Sequence, residues 1–442
     1  MRGRLERAET LGLLAVLAAL VVAVIPDLGS QPWPFQPDRV EPRGILGPLV
    51  RASGREWDLG VPRGAALLGG LLVAATTIAL WRWGRLHRGA AVVLTALVAG
   101  LILLPAALLA AGLRDATDPW QFTNDSTYQI ELAGEMVLDG DTPYGRDYDG
   151  TGLERFYPAA GFEGSPDRQV ALTHFAYFPG TPLTAAAWRL LPRPLDDYRL
   201  FVLLATVAAA GIVLLFPGPL GWRLAGAAVV AANPLAVRAA WFGTADMPSL
   251  ALVLLAFALA VRGRPTGAAA AIAGALLLKQ FALVAVPFLA ILLVTRGAPR
   301  RALLRATAAF AAVLLAGFLP FLIADPNALW DDTVAYGTGT YRIIGYGLAG
   351  LLVGAGLAER DGDYPFTLLA LLVWAPATAW LLLGQVRSGA PWRAAAGFAV
   401  SISVLLYLSR VLQNSYLVWP LVGGVAAFLL TAVERARLET KA

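Results

Sequence analysis

Apolar residues run along this chain in long blocks, with polar residues arriving in short clusters between them. The start, MRGRLERAET followed by LGLLAVLAALVVAVI, joins a charged lead to an apolar stretch in the manner of a signal peptide. No small-residue cleavage site follows, so the pattern predicts an uncleaved first span with its N-terminus in the cytoplasm. A Pro-rich stretch from Pro26 to about Pro62 then lies outside, with Trp33 and Trp57 available for the membrane interface. A second span (65–83) returns to the basic turn RWGRLHRG, and a third (89–112) goes out again. Further apolar segments stand at 172–191, 200–216, 223–242, 246–261, 266–294, 303–323, 342–356, 365–383, 393–408 and 411–430. Crossing about 30 Å of hydrocarbon takes roughly 17–25 residues, so the pattern predicts an all-α polytopic membrane protein of about 11–13 membrane segments. Sidedness does not alternate between 172 and 246 unless one segment there is re-entrant. The whole of 1–442 reads as one integral-membrane domain: N-terminal spans (1–112), an extracytoplasmic loop (113–171) and the remaining segments (172–430).

One run breaks the rhythm. The turns RGRP (262–265) and RGAPRRALLR (296–305) are basic and therefore cytoplasmic. Between them the 28-residue run 267–294 must leave and return to the same side, too short for two spans. It is predicted as two half-helices meeting near Lys279, an element tolerated at membrane depth only where it lines a buried or water-filled cavity. The spacing of Gly350 and Gly354 reads as helix packing.

The loop after the third span is acidic. From Asp118 to Asp149 it carries eight carboxylates against one arginine, Arg146. Ile130, Ala133 and Val137 form one stripe and Glu131, Glu135 and Asp139 another, which predicts an amphipathic helix on the membrane surface with its acids toward water. DGDTPYG then ends the helix in turn-forming residues. Asp125 opens it, either as its N-cap or as a base facing a cavity.

Composition narrows the chemistry. The chain is 58% hydrophobic and 15% charged with a mean hydropathy of +0.64. Cysteine is absent and histidine occurs twice, as His87 and His174, which excludes disulfides, thiolate chemistry and a thiolate metal site and disfavours a histidine-built one. A net charge of +5 suits the positive-inside bias, and no basic face interleaved with aromatics points to nucleic acid. Of 35 basic residues only Lys279 and Lys441 are lysine, leaving 33 arginines, a skew of GC-rich bacterial genomes.

Lys279 is therefore the sharpest single feature. A lysine amid apolar sequence costs at least about 2.5–3.5 kcal/mol on insertion scales. It either snorkels to the interface or meets an anion such as a lipid-borne phosphate. HFAYFPGTP (174–182) carries His174 and Tyr177, and NPLAVRAAWFGTADMP (233–248) carries Arg238 and Asp246, each a candidate site group, interface anchor or cap. LSRVLQNSYLVWP (408–420) groups Arg410, Gln413, Asn414 and Tyr416, with Arg410, Gln413 and Asn414 expected to face a polar cavity. WDDTVAYGTGTYRIIGYG (330–347) offers Arg342 as a phosphate or sugar contact and matches no P-loop.

The order of NDSTY, GDTPY, YFPGTPL, NP…GTAD and LLLKQFAL resembles the GT-C superfamily of integral-membrane glycosyltransferases. It is most similar to the polyprenol-phosphate-mannose-dependent alpha-mannosyltransferase-like family common in actinobacteria. The likeness covers about 115–420 and departs from the pattern in two extra spans before the loop and in the spacing of the tyrosine after Asp125. The resemblance implies a GT-C-like bundle in the bacterial cytoplasmic membrane, its active site on the extracytoplasmic face. It implies inverting transfer of mannose first, arabinose or glucose next, from a polyprenyl-phosphate donor to a glycan or glycolipid acceptor. Asp125 would be the catalytic base, and Lys279, Arg410 and Arg342 would bind the donor phosphate. Tyr128, His174, Tyr177, Asp246, Gln280, Gln413, Asn414 and Tyr416 would position substrate. No cofactor is required, and the acids leave room for a weak divalent cation. A polyprenyl-linked lipid or sugar transporter or flippase is the alternative from another class, and an assembly subunit with decayed sites a third.

Overall fold

A computed structural model describes residues 5–25, 60–116, 124–157, 172–193, 195–335, 343–362 and 364–439. Trp33, Trp57 and Arg342 lie outside the described residues. In chain order the helices are α1 (Arg7–Val24), α2 (Gly60–Arg82), α3 (Arg88–Ala116), α4 (Asp125–Leu138), α5 (Gly180–Arg189), α6 (Tyr198–Val213), α7 (Leu220–Ala232), α8 (Pro234–Phe242) and α9 (Asp246–Val261). Then come α10 (Pro265–Leu278), α11 (Ala285–Thr295), α12 (Arg300–Ala324), α13 (Pro326–Trp330), α14 (Leu348–Gly354), α15 (Phe366–Ser388), α16 (Pro391–Leu408) and α17 (Val418–Glu439). The only strands among the described residues are β1 (Ile344–Gly345) and β2 (Val411–Leu412), paired in parallel.

Eight helical stretches among the described residues are long and apolar enough to cross a membrane, and four shorter apolar helices accompany them. The protein is thus an all-α, multi-pass membrane protein. Two expected membrane segments are corrected. The stretch 172–191 yields only the ten-residue α5, and 342–356 only the seven-residue α14. At about 1.5 Å per residue neither reaches across about 30 Å of hydrocarbon. A Cβ added at Gly350 would collide with the Gly345 carbonyl, while one at Gly354 would meet nothing within 4 Å, so among the described residues the pair packs against no other helix.

The chain divides into two compact units, Met1–Asn124 with Leu191–Met247 and Phe428–Ala442, and Asp125–Leu190 with Pro248–Ala427. In the first, α1 packs on α7 and α2, and α3 on α2 and α7. Leu13, Leu17 and Val21 of α1 meet Leu94, Val98 and Ile102 of α3 and Leu224 and Ala228 of α7 in one buried cluster. The buried Glu9 carboxylate accepts the Gly221 N–H at 2.8 Å, pairing a polar group that the apolar surroundings would otherwise penalise. The expected span 223–242 is interrupted because Asn233 serves both halves. Its amide donates to Val229 and Val230 carbonyls at the end of α7, and its oxygen accepts the Leu235 and Ala236 N–H groups ahead of the Pro234 start of α8.

In the second unit α4 lies against α5, α10 against α12, α15 against α16, and α11 against α15 and α16. A Cβ at Gly134 would come within 2.8 Å of the Ala185 and Ala186 backbone, so glycine permits the close approach of α4 and α5. Gly140, at φ 83°, ends α4: its N–H bonds Val137 O while Asp141 N–H bonds Met136 O, the Schellman pattern that satisfies the last carbonyls.

The amphipathic reading of α4 needs correction. Thr127, Tyr128, Gln129, Ile130 and Glu131 are consecutive and all buried, so the first half of the helix is enclosed rather than resting on a surface. Glu131 is 1% exposed, Glu135 is half-buried and paired with Arg189, and only Asp139 of the expected wet face is exposed.

Candidate functional site

The site is built on an irregular strap, His174 to Phe178, ahead of α5. A strap outside helix or sheet must find partners for its backbone polar groups elsewhere. Here side chains from separate segments supply them. Gln129 Nε2 of α4 donates to His174 O at 2.8 Å, Gln280 Nε2 to Ala176 O at 2.6 Å, and the Tyr144 hydroxyl to Tyr177 O at 2.9 Å. Tyr144 also meets the Phe175 and Phe321 rings edge-on. Burial raises the Tyr144 phenol well above its ordinary value, and Tyr148 and the Asp332 charge add to the rise. It therefore stays protonated and able to donate.

Lys279 stands at the break that the run 267–294 was expected to contain. α10 ends at Leu278, Lys279 is extended (φ −153°, ψ 129°), a 3-10 turn covers Gln280–Val284, and α11 follows. The two halves lean on different partners, α10 mainly on α12 and α5, α11 mainly on α15 and α16. Hydroxyls occupy the carbonyls at the break: Thr181 Oγ1 donates to Leu278 O at 2.7 Å and Ser249 Oγ to Ala275 O at 2.8 Å. Gly180 lets α5 reach this end, since a Cβ there would stand 2.8 Å from the Leu277 backbone.

The Lys279 side chain is 8% exposed. Its ammonium lies 4.7 Å from the Tyr177 ring centre, 5.7 Å from Phe281 and 5.8 Å from Tyr416. Phe281 is itself held edge-on by Tyr416 and by the fully buried Trp419. Desolvated cation–π contacts reach about 2 kcal/mol, enough to offset much of the insertion penalty of roughly 2.5–3.5 kcal/mol. No family model, curated protein or solved structure matches this chain.

Asp125 is the first residue of α4, half-buried, and its Oδ2 accepts a hydrogen bond from the Tyr157 hydroxyl. One turn on, Gln129 grips the strap, and Tyr177 of that strap covers Lys279. Asp125 and Lys279 thus belong to one connected framework within the second unit.

The other expected site residues separate by use. Lys279, Gln280, His174, Tyr177 and Tyr416 come together around the strap. Tyr128 is buried with its hydroxyl donating to Thr151 O at 2.9 Å, a tie between α4 and the following turn. Burial raises its phenol, Arg155 works against the rise, and Glu135, Glu154 and Glu131 add to it. Arg410 donates to the carbonyls of Tyr364 (3.2 Å) and Gly362 (2.9 Å), clamping a turn. Gln413 and Asn414 are exposed. Asp246 is buried at the start of α9, in the first unit. Among the described residues no group of three or more His, Asp or Glu side chains is placed to hold a metal ion.

Two site residues were missed in the sequence. Tyr157 reaches Asp125 across 32 residues, and Asp332 reaches His174 across 158. Asp332 is 2% exposed in a π-helical turn, Asp331–Ala335; its Oδ1 meets His174 Nδ1 at 2.8 Å, and its Oδ2 accepts Gly145 N–H at 2.8 Å and Phe175 N–H at 3.3 Å. The available signal is the paired acid in LWDDT after Pro326, upstream of Arg342.

Proposed function

We propose that this protein is an inverting glycosyltransferase that moves a sugar, mannose first among candidates, from a polyprenyl-phosphate donor to a hydroxyl of a glycan or glycolipid at the extracytoplasmic face of a bacterial cytoplasmic membrane. The observation that carries the reading is the buried Lys279 ammonium at a helix break, faced by Tyr177, Phe281 and Tyr416. A cation so oriented suits a single phosphate presented by a lipid. A carboxylate on the helix that anchors the same strap supplies the second requirement of the chemistry.

In this reading an acceptor hydroxyl attacks the anomeric carbon as its proton passes to Asp125. The bond from that carbon to the phosphate oxygen breaks, and polyprenyl phosphate leaves with the electron pair. Positioned general bases contribute about 10²–10⁴-fold. Lys279 stabilises the charge developing on the leaving phosphate, electrostatic help worth about 10²–10³-fold per donor in other enzymes. The Tyr157 hydroxyl holds one oxygen of Asp125, and the acceptor proton would pass to the other. A single phosphate met by a resident cation needs no metal.

Purified protein in lipid nanodiscs, given radiolabelled polyprenyl-phosphate mannose and a mixture of glycan and glycolipid acceptors, should release polyprenyl phosphate and label an acceptor. In liposomes, labelled donor crossing the bilayer with no labelled product would instead establish the transporter reading.

A further inference from the structure

Asp332 is built to act on one imidazole. A carboxylate can only accept hydrogen bonds, so the 2.8 Å contact from its Oδ1 places the His174 hydrogen on Nδ1. Its other oxygen is committed to the Gly145 and Phe175 N–H groups, which bring the turn after α4 and the strap onto the same carboxylate. A Cβ at Gly145 (φ 67°) would stand 2.8 Å from the Ala328 side chain, so the turn after α4 lies close against α13. The π-helical turn that carries Asp332 is tied back to α13, where Leu329 O accepts from Thr333 Oγ1 at 2.6 Å. The carboxylate is fixed on every side, while the His174 side chain keeps 29% of its surface open. Three residues along the strap from His174 stands Tyr177, over Lys279.

We propose that Asp332 is a positioning residue: it holds the hydrogen of His174 on Nδ1 and so presents Nε2 as a hydrogen-bond acceptor to a sugar hydroxyl of the bound substrate. The sugar as partner rests on the transferase reading; the hold of Asp332 on His174 does not. An Nε2 lone pair accepts from a sugar hydroxyl and not from a phosphate oxygen, which offers no hydrogen.

The chain has two histidines, so the ring nitrogens can be followed directly. His87 Nδ1 accepts the Ala90 N–H at 2.9 Å, which gives that ring the opposite arrangement and makes it an internal reference. Nitrogen NMR of protein labelled with ¹⁵N-histidine should show His174 with its hydrogen on Nδ1. In Asp332→Asn the amide oxygen stays with the backbone N–H donors, its NH2 turns to His174, and the hydrogen should move to Nε2. Transfer by Asp332→Asn should fall about 10- to 100-fold, as for the carboxylates that orient metal-bound imidazoles. A double variant with His174→Gln should be no slower than His174→Gln alone, as for residues acting as a unit.

A hydrogen on Nε2 of His174 in the unaltered protein overturns the pairing, and that spectrum needs no variant to fold. An unmoved hydrogen in folded Asp332→Asn, or losses that multiply in the double variant, overturn the positioning role. A hydrogen that moves as expected in a protein that transfers no sugar overturns the transferase reading, and with it the sugar hydroxyl as the partner of Nε2.

Discussion

At position 279 a lysine ammonium faces the rings of Tyr177, Phe281 and Tyr416. Lys279→Met keeps the apolar stem and volume while removing the charge. Transfer should fall by about 10²–10³-fold, with thermal unfolding unchanged or shifted upward because a buried cation is gone. A drop in both together would assign Lys279 to the fold instead. At the same scale, the Tyr144 and Tyr148 phenols are both raised by burial, with the Asp332 charge contributing to each. Raised folded values mean that their contribution to stability is complete below the ordinary phenol value of about 10 and is lost as pH climbs toward the folded values. The unfolding midpoint should therefore be insensitive to these groups up to about pH 10 and fall above it, and Tyr148→Phe should lessen that fall.

The helix pair α4 and α5 positions these residues, and its closeness depends on Gly134. Gly134→Val forces a branched side chain into space 2.8 Å from the Ala185 backbone. Overpacking of this kind costs about 1–3 kcal/mol, so differential scanning should show a lower unfolding midpoint, with loss of transfer following from the displaced strap. The break at Lys279 was legible because one charge interrupts a run lying between basic turns, and the ends of α9, α12 and α16 follow apolar blocks closely. The burial of Glu131 was not legible, because a period of four in acids describes a face of the helix and not what packs on it. Nor was the shortness of α5: apolar composition over 172–191 is the same whether the chain spans lipid or packs as a strap and a ten-residue helix. The Asp332–His174 pair was hidden for a plainer reason, since 158 residues separate its members and only tertiary folding joins them.

For the whole molecule, the predicted orientation sets the loop after α3 outside and the turn at 262–265 inside. The chain has no cysteine, so single replacements report sidedness without background. Asp139→Cys and Arg264→Cys place a thiol at exposed positions. In intact cells an impermeant maleimide should label the first and should label the second only after permeabilisation; the reverse pattern would put the proposed site on the cytoplasmic face. The central claim, that Asp125 is the base of a sugar transfer, meets its most direct test in single-turnover measurements with labelled polyprenyl-phosphate mannose bound to the purified protein. Asp125→Asn should bind donor normally and slow the transfer step by about 10²–10⁴-fold. Near-normal turnover by a folded Asp125→Asn protein would contradict the account.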